Sequence, residues 1–208
     1  MKVTAFNGSP RREGNTYQAI RMVAGELEKA GIEVEVVQVG DNVFRGCQAC
    51  NACAKLGRCV FNDDGVNVWI EKMKESDGVI FGSPVYFAGI NGTMKSFLDR
   101  AGYVLSGTNA LRFKVGVPVA VVRRTGGMPV IDMLNHYFNY FEMISPGSNY
   151  WNVIHGRNPG EVVKDEEGAQ IMRVLGKNMA WLMKVLEHGK DVVPKPETEA
   201  KIGMSFIR

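Results

Sequence analysis

Residues 1–27, MKVTAFNGSPRREGNTYQAIRMVAGEL, predict the first strand, loop and helix of the fold. The apolar run from Val3 to Phe6 is stopped by Asn7-Gly8-Ser9-Pro10, a sequence typical of turns. Beyond this turn, apolar side chains recur with the spacing of one face of an α-helix, at Ile20, Val23, Ala24 and Leu27. The stretch therefore predicts a β-strand, a loop and an amphipathic helix, in that order.

The same alternation of strand and helix continues along the chain. Further strands are predicted at residues 32–37, 78–81, 115–122 and 150–154. Gly82-Ser83-Pro84 halts the third strand, and Pro118 indicates an irregularity or an exposed edge in the fourth. Helices are predicted after the capping pair Asp63-Asp64, after Gly92, after Gly127 and over residues 165–188. Right-handed crossovers between such units give a parallel sheet that helices cover on both faces.

This pattern predicts one domain over residues 1–191. A cysteine-rich insertion at residues 44–62 interrupts it between the second strand and the following helix. Residues 192–208 contain Pro194 and Pro196 and show no clear periodicity, so we expect a C-terminal extension that forms an extended arm.

The composition excludes several classes of protein. Of the 208 residues, 45% are hydrophobic and 23% are charged, as in ordinary globular proteins. A formal net charge of +3 is too small and too scattered to indicate nucleic-acid binding. No apolar run reaches the ~20 residues that span a bilayer, and the N-terminus lacks the apolar core of a signal peptide. We therefore expect a cytoplasmic protein that binds neither nucleic acid nor membrane.

Three loops follow predicted strands, at the sheet edge where open parallel sheets bind ligands. The first, residues 8–16, is rich in hydroxyl and amide groups and carries Arg11, whose guanidinium suits a phosphate. It is not a Walker A loop, because it contains no Gly-Lys-Ser/Thr, and the chain has no G-x-G-x-x-G. A plain turn is the alternative, but Gly14-Asn15-Thr16 at the start of a helix favours a phosphate site.

The second and third loops suggest a flat ligand beside that phosphate. The second, residues 82–92, places Tyr86 and Phe87 among glycines, where packing in the core is disfavoured. The third, residues 123–127, carries Thr125 and Gly126 and is expected to complete the same crevice. The three histidines have no regular spacing to a second ligand, and we interpret them as surface or packing residues.

All four cysteines lie between Cys47 and Cys59. Their spacing, Cys47-x2-Cys50-x2-Cys53-x5-Cys59, is close to the run that binds a 4Fe–4S cluster in ferredoxins. Two alternatives stay open: zinc, which four thiolates usually bind as two separated Cys-x-x-Cys pairs, and reduced thiols without a metal. Lys55 and Arg58 would offset the negative charge of a cluster, and they would equally suit an acidic electron carrier.

As a set, these motifs resemble the NADPH-dependent FMN reductase and iron–sulfur flavoprotein family. The resemblance is strong over residues 1–125 and rests on Gly8-Ser9-Pro10-Arg11, Gly14-Asn15-Thr16, the four cysteines with Asp63-Asp64, Gly82-Ser83-Pro84-Val85-Tyr86-Phe87 and Lys95-Ser96-Phe97-Leu98-Asp99-Arg100. It implies a flavodoxin-like fold, a doubly wound five-stranded parallel sheet of order 2-1-3-4-5. It also implies that the FMN phosphate is bound by Ser9, Arg11, Asn15 and Thr16, and that the isoalloxazine ring lies against Pro84, Val85, Tyr86 and Phe87.

The resemblance implies an FMN-dependent oxidoreductase, in which the flavin supplies the redox chemistry. We expect electrons to pass from NAD(P)H or reduced ferredoxin to a small acceptor, such as a quinone, free flavin, dioxygen or peroxide. A shallow crevice with two aromatic residues covers only one side of a flavin, so a homodimer or homotetramer is expected. The alternative is a redox- or metal-responsive binding module whose cysteine loop holds structural zinc or free thiols.

Overall fold

The computed structural model describes residues 1–204 and 206, in which six strands and six α-helices follow one another. The strands are β1 (Lys2–Asn7), β2 (Glu33–Gln38), β3 (Gly78–Tyr86), β4 (Gly89–Ile90), β5 (Val115–Val122) and β6 (Val153–His155). The helices are α1 (Asn15–Lys29), α2 (Cys53–Leu56), α3 (Val66–Glu75), α4 (Gly92–Leu105), α5 (Gly127–Tyr140) and α6 (Glu166–Gly189), with a 3₁₀ turn at Glu161–Lys164. Each helix predicted from apolar periodicity is present.

The main sheet has the order β2-β1-β3-β5-β6, and all of these neighbours pair in parallel. The flavodoxin-like fold is therefore confirmed, and the order agrees with 2-1-3-4-5 once the two-residue strand β4 is left uncounted. That strand was not predicted. It pairs antiparallel with the end of β3, where Val85 faces Ile90 and Tyr86 faces Gly89.

Two prolines lie inside strands. The sequence predicted that Pro84 ends a strand and that Pro118 marks an irregularity or an exposed edge; Pro84 continues β3, and Pro118 does not lie at an exposed edge. Pro84 pairs with Val121, and Pro118 pairs with Phe81, in the interior of the sheet. Successive backbone groups of a strand alternate in direction. The nitrogen of Pro84 points towards β1, whose pairing with β3 has ended at Gly82. Two positions to either side of Pro118, the N–H groups of Gly116 and Ala120 donate to the carbonyls of Ile144 and Asn152. The nitrogen of Pro118 points between these two carbonyls. Neither proline removes a hydrogen bond from the ladder.

The sheet separates two hydrophobic cores, as predicted for helices on both faces. On one face, α3, α4 and α5 bury a core in which Phe6, Phe81 and Phe138 are almost fully covered. The rings of Phe81 and Phe138 are stacked with their centroids 4.8 Å apart. On the other face, the first helix α1 packs against the last helix α6.

Two segments lie outside the layers of helix and sheet, although Cys59 of the first is buried in the core on the α4 side. The cysteines follow β2 and precede α3, and only the short helix α2 is regular there. Residues 194–204 form neither helix nor strand, and carbonyl oxygens of Pro196 and Glu197 accept hydrogen bonds from Arg112. Among residues 1–204 and 206, no helix combines the length and the apolar character needed to cross a membrane.

Candidate functional site

The predicted loops meet at the carboxyl edge of the sheet and are joined by backbone contacts. The N–H of Gly8 donates to the carbonyl of Gly82, 2.8 Å away, which links the first loop to the second. Gly126 has a φ of +91°, and a Cβ atom there would lie 3.1 Å from the Cα atom of Ala88. A glycine at this position therefore lets the third loop approach the second.

The first loop is held by side chains of the two strands below it. The Asn7 amide donates to the Gln38 side chain at 2.6 Å, and Gln38 donates to the carbonyl of Ser9 at 2.7 Å. A Cβ atom on Gly40 would lie 2.2 Å from the carbonyl oxygen of Gly8, so no larger residue fits against the loop. The loop is preorganised by these contacts.

The first loop leads into the N-terminus of α1, which no side chain caps. Thr16 is almost fully buried, and within residues 1–204 and 206 its hydroxyl makes no hydrogen bond but still reaches the open side of the loop. The Ser9 hydroxyl accepts from the backbone N–H of Arg11 at 3.1 Å and keeps its own proton to donate. The Arg11 side chain is exposed, and Arg12 pairs with Asp41. Free backbone N–H groups, hydroxyls and a guanidinium together suit a phosphate dianion.

The structure gives the Asn15 side chain a contact that sequence reasoning missed. Its Nδ2 atom donates to the carbonyl of Asn158 at 2.9 Å, and its Oδ1 atom accepts from the N–H of Gly160 at 2.8 Å. The side-chain amide therefore clamps a fourth loop, residues 156–160, to the start of α1. The sequence Gly156-x-Asn158-Pro159-Gly160 after a strand was the local signal for this loop.

The second loop is a two-residue hairpin turn between β3 and β4. Phe87 and Ala88 have φ values of +48° and +58°, the type I′ geometry for which Asn-Gly is the favoured sequence. This conformation costs a non-glycine residue roughly 1–2 kcal/mol of conformational free energy. Phe87 is fully exposed and Tyr86 is half-exposed, so this strained turn presents aromatic rings to solvent at the edge of the sheet.

A cavity of about 480 Å³ lies beside the third loop. Thr125 and Gly126 line it together with Tyr150, Trp151 and other residues of the β6 and α6 side. His155, which we interpreted as a surface or packing residue, also lines it, and its Nδ1 atom lies 3.2 Å from Asp165. None of the residues of the first loop lines this cavity, so it lies beside the phosphate cradle.

All four cysteines line one small cavity between the insertion and α4. Cys59 is buried, Cys47 and Cys53 are partly buried, and Cys50 is exposed. Burial raises the pKa of the Cys53 thiol, and the nearby Cys47 and Cys50 raise it further. Within the described ranges, no three ligating side chains are drawn together closely enough to hold a metal ion. The structure thus brings the predicted cysteines to one place without forming a closed single-ion site.

Arg100 of α4 closes the base of this cavity. Its guanidinium pairs with both carboxylate oxygens of Asp64, and its Nε atom donates to the Cys59 sulfur at 3.3 Å. Burial by itself lowers the pKa of Arg100, but the hydrogen bonds to Asp64 and Cys59 outweigh it and raise the pKa. Asp64 accepts from the N–H of Val66, while Gly65 occupies the N-cap position of α3, so the predicted cap is mainly an ion-pair partner.

A doubly wound parallel sheet with an anion cradle after β1 and exposed aromatic residues after β3 defines a flavodoxin-like protein. The family model described as NADPH-dependent FMN reductase matches residues 1–158, and the chain belongs to this family. Over 194 residues it is 38% identical to an iron–sulfur flavoprotein of Methanocaldococcus jannaschii, with 90% of this chain and 100% of that protein covered. The chain is therefore a flavin-dependent oxidoreductase that uses FMN.

Solved structures show the same fold at low sequence identity. RosB with the bound intermediate 8-demethyl-8-formylriboflavin-5′-phosphate matches with a TM-score of 0.72 at 17% identity, covering 100% of this chain and 94% of RosB. A flavodoxin from the domain Archaea matches with a TM-score of 0.58 at 14% identity, covering 88% of this chain and 99% of that one. These likenesses concern the fold alone.

Proposed function

We propose that this protein binds FMN at the carboxyl edge of its sheet and a 4Fe–4S cluster at Cys47, Cys50, Cys53 and Cys59. It passes electrons from NAD(P)H or reduced ferredoxin to a small acceptor. The observation that carries this proposal is the convergence of all four cysteines on one cavity beside a buried guanidinium. The name of the Methanocaldococcus relative, an iron–sulfur flavoprotein, supports it.

The first loop fits the phosphate of FMN. Backbone N–H groups at the uncapped start of α1 would donate to the phosphate oxygens, with the Thr16 and Ser9 hydroxyls as further donors. Arg11 would add a charge-assisted hydrogen bond from the solvent side. When bound, FMN supplies hydride and electron transfer, while the chain orients the ring through the loops at Pro84–Phe87 and Thr125–Gly126.

The arrangement of the four cysteines suits a cluster better than a single ion. Each thiolate of a cubic cluster binds a different iron, so four cysteines around a shared cavity meet this need without converging on one point. A buried guanidinium against Cys59 would offset part of the negative charge that four thiolates bring. Lys55 and Arg58 lie exposed on the same segment, where an acidic carrier such as ferredoxin would dock.

The cavity beside the third loop favours a planar acceptor over dioxygen or peroxide. Its volume of about 480 Å³ is in the range of small-molecule sites. Tyr150 and Trp151 supply aromatic surface, and Arg124 and His155 supply polar groups that would meet the oxygens of a quinone or a flavin. This subsite adjoins the turn at Ala88, where we place one end of the isoalloxazine ring.

Exposed aromatic residues support a homodimer or homotetramer. Phe87, Tyr150 and Trp151 are each more than half exposed around the proposed flavin edge, and isolated chains rarely leave such a group of rings in water. A second subunit would cover the open face of the flavin. Light scattering at micromolar concentration tests this point, and a monomer would contradict it.

Anaerobic purification with absorption spectroscopy and metal analysis tests the proposed function. We expect a flavin spectrum with a broad brown absorption and about four iron atoms per chain. Cys50→Ser should lose the brown absorption and electron uptake from a one-electron donor, but keep FMN. Gln48→Ala, which changes another residue of the same cavity, should keep both.

Four other results would overturn parts of the proposal. Zinc in place of iron would identify a structural metal site, and a Cys50→Ser variant that fails to fold would point the same way. Iron-free protein with four reactive thiols would remove the cluster. A preparation that stays colourless after addition of FMN would favour the binding module and remove the enzyme.

A further inference from the structure

Arg100 is a charged residue whose side chain is fully covered by protein. Its Nη atoms donate to the Asp64 carboxylate at 2.5 and 3.2 Å and to the carbonyls of Arg45 and Phe61 at 3.4 and 3.1 Å. Its Nε atom donates to the Cys59 sulfur at 3.3 Å. An arginine has five N–H donors. These contacts therefore use all of them, and one is spent on a sulfur.

The other four hydrogen bonds go to oxygen atoms and hold residues 45–64 against α4. A purely structural role does not explain why the fifth goes to the sulfur of Cys59. A thiol sulfur is a weak acceptor, whereas a thiolate accepts a charge-assisted hydrogen bond. Cys59 is the most buried of the four cysteines, so water screens a charge near its sulfur least. The guanidinium therefore supplies both a hydrogen bond and a buried positive charge at this sulfur.

We propose that Arg100 is a positioning residue that acts through its contact with Cys59 and raises the reduction potential of the cluster site. The inference rests on the proposed function. One electron from a donor such as reduced ferredoxin adds one negative charge at the cysteine cavity. A buried cation in contact with a ligand sulfur stabilises this reduced state more than the oxidised state, because hydrogen bonds and charge near the sulfurs set the potential.

The ion pair makes the inference testable in both directions. Arg100→Gln removes the cation and should lower the potential. Asp64→Asn removes the counter-charge, retains an oxygen for the N–H of Val66, and should raise the potential. Arg100→Lys keeps the charge without the planar fork and should fall between the parent and Arg100→Gln. A residue that only holds the segment in place would not produce shifts of opposite sign.

The experiment is an anaerobic redox titration followed by electron paramagnetic resonance, on protein that holds FMN and iron. For Arg100→Gln we expect the ratio of reduced to oxidised cluster, at a fixed potential, to fall about tenfold, which is 59 mV for one electron. Arg112→Gln is the matched control, since it breaks the arginine–carboxylate pair with Glu142 away from the cysteines, and should leave the ratio unchanged.

The outcomes separate this inference from the proposed function. If the parent contains no iron, the proposed function fails. If the parent contains the cluster but Arg100→Gln and Asp64→Asn titrate at the parent potential, the inference alone fails. If Arg100→Gln does not fold, Asp64→Asn decides: a potential above that of the parent supports the inference, and an unchanged or lower potential overturns it.

Discussion

Replacing Asn15 by alanine should loosen the flavin site without removing a phosphate ligand. Its amide makes two hydrogen bonds, of 2.9 and 2.8 Å, to backbone groups of Asn158 and Gly160. At about 1 kcal/mol net for each bond, Asn15→Ala should lower the free energy of unfolding by about 2 kcal/mol. In a domain of this size that corresponds to a fall in Tm of roughly 4–8 °C.

The assay combines denaturant unfolding with titration of FMN and riboflavin. Because the side chain holds a loop against the start of α1, Asn15→Ala should weaken both ligands by a similar factor. Thr16→Val is the matched control, since it removes a hydroxyl that has no partner within residues 1–204 and 206. It should leave the unfolding free energy nearly unchanged and weaken FMN alone, by about tenfold or more.

A specific result would refute this reasoning. If Asn15→Ala keeps the unfolding free energy of the parent but loses FMN affinity and not riboflavin affinity, Asn15 binds the phosphate directly, as the family resemblance implies. The clamp would then have no energetic role.

Three further predictions concern backbone strain and pH. Gly126→Ala should lower the free energy of unfolding by about 1–2 kcal/mol in denaturant titrations, because φ is +91° and the new Cβ atom would press on Ala88; an unchanged midpoint would contradict this. Ala88→Gly should raise the same free energy by up to about 1 kcal/mol through relief of strain at φ +58°, and a loss of stability would contradict it. Burial raises the pKa of Asp165, but hydrogen bonds from Gly168 and His155 outweigh it and lower the pKa. Asp165 therefore stabilises the fold above its unfolded-state pKa of 3.8, and this contribution disappears as the pH falls through the lower folded-state pKa. The destabilisation by Asp165→Ala, about 1 kcal/mol at neutral pH, should vanish in acid unfolding curves.

The order of helices and strands could be predicted because it depends on local patterns. The apolar spacing of α6 identifies that helix from a short window. Its predicted first residue, Asp165, lies at the N-cap, where its side chain accepts from the N–H of Gly168. The hairpin at Phe87 and Ala88 could not be predicted, since it lacks the Asn-Gly signal that usually marks such turns. The strain at these two residues arises in the folded chain, and the sequence pattern does not indicate it.

The candidate site was predicted where neighbours in sequence are neighbours in space. The spacing of the four cysteines indicated a shared location, and all four line one cavity. The clamp between Asn15 and Asn158 joins residues 143 positions apart, and no periodicity reports such a contact. The burial of Arg100 could not be predicted either, because a charged residue on an amphipathic helix normally lies on the exposed face.

The packing of α1 against α6 bears on how the chain is made. Ile20, Val23 and Leu27 of α1 are fully covered in the folded protein, and α6, at the opposite end of the chain, supplies part of that cover. During synthesis, the part of this surface that α6 covers stays open until residue 189 has left the ribosome. The nascent chain therefore exposes apolar surface of α1 through most of translation. We expect chains that stop before α6 to aggregate or to be captured by chaperones. Ribosome profiling of chaperone-bound nascent chains measures this interval directly, and release of the chaperone before α6 emerges would contradict the expectation.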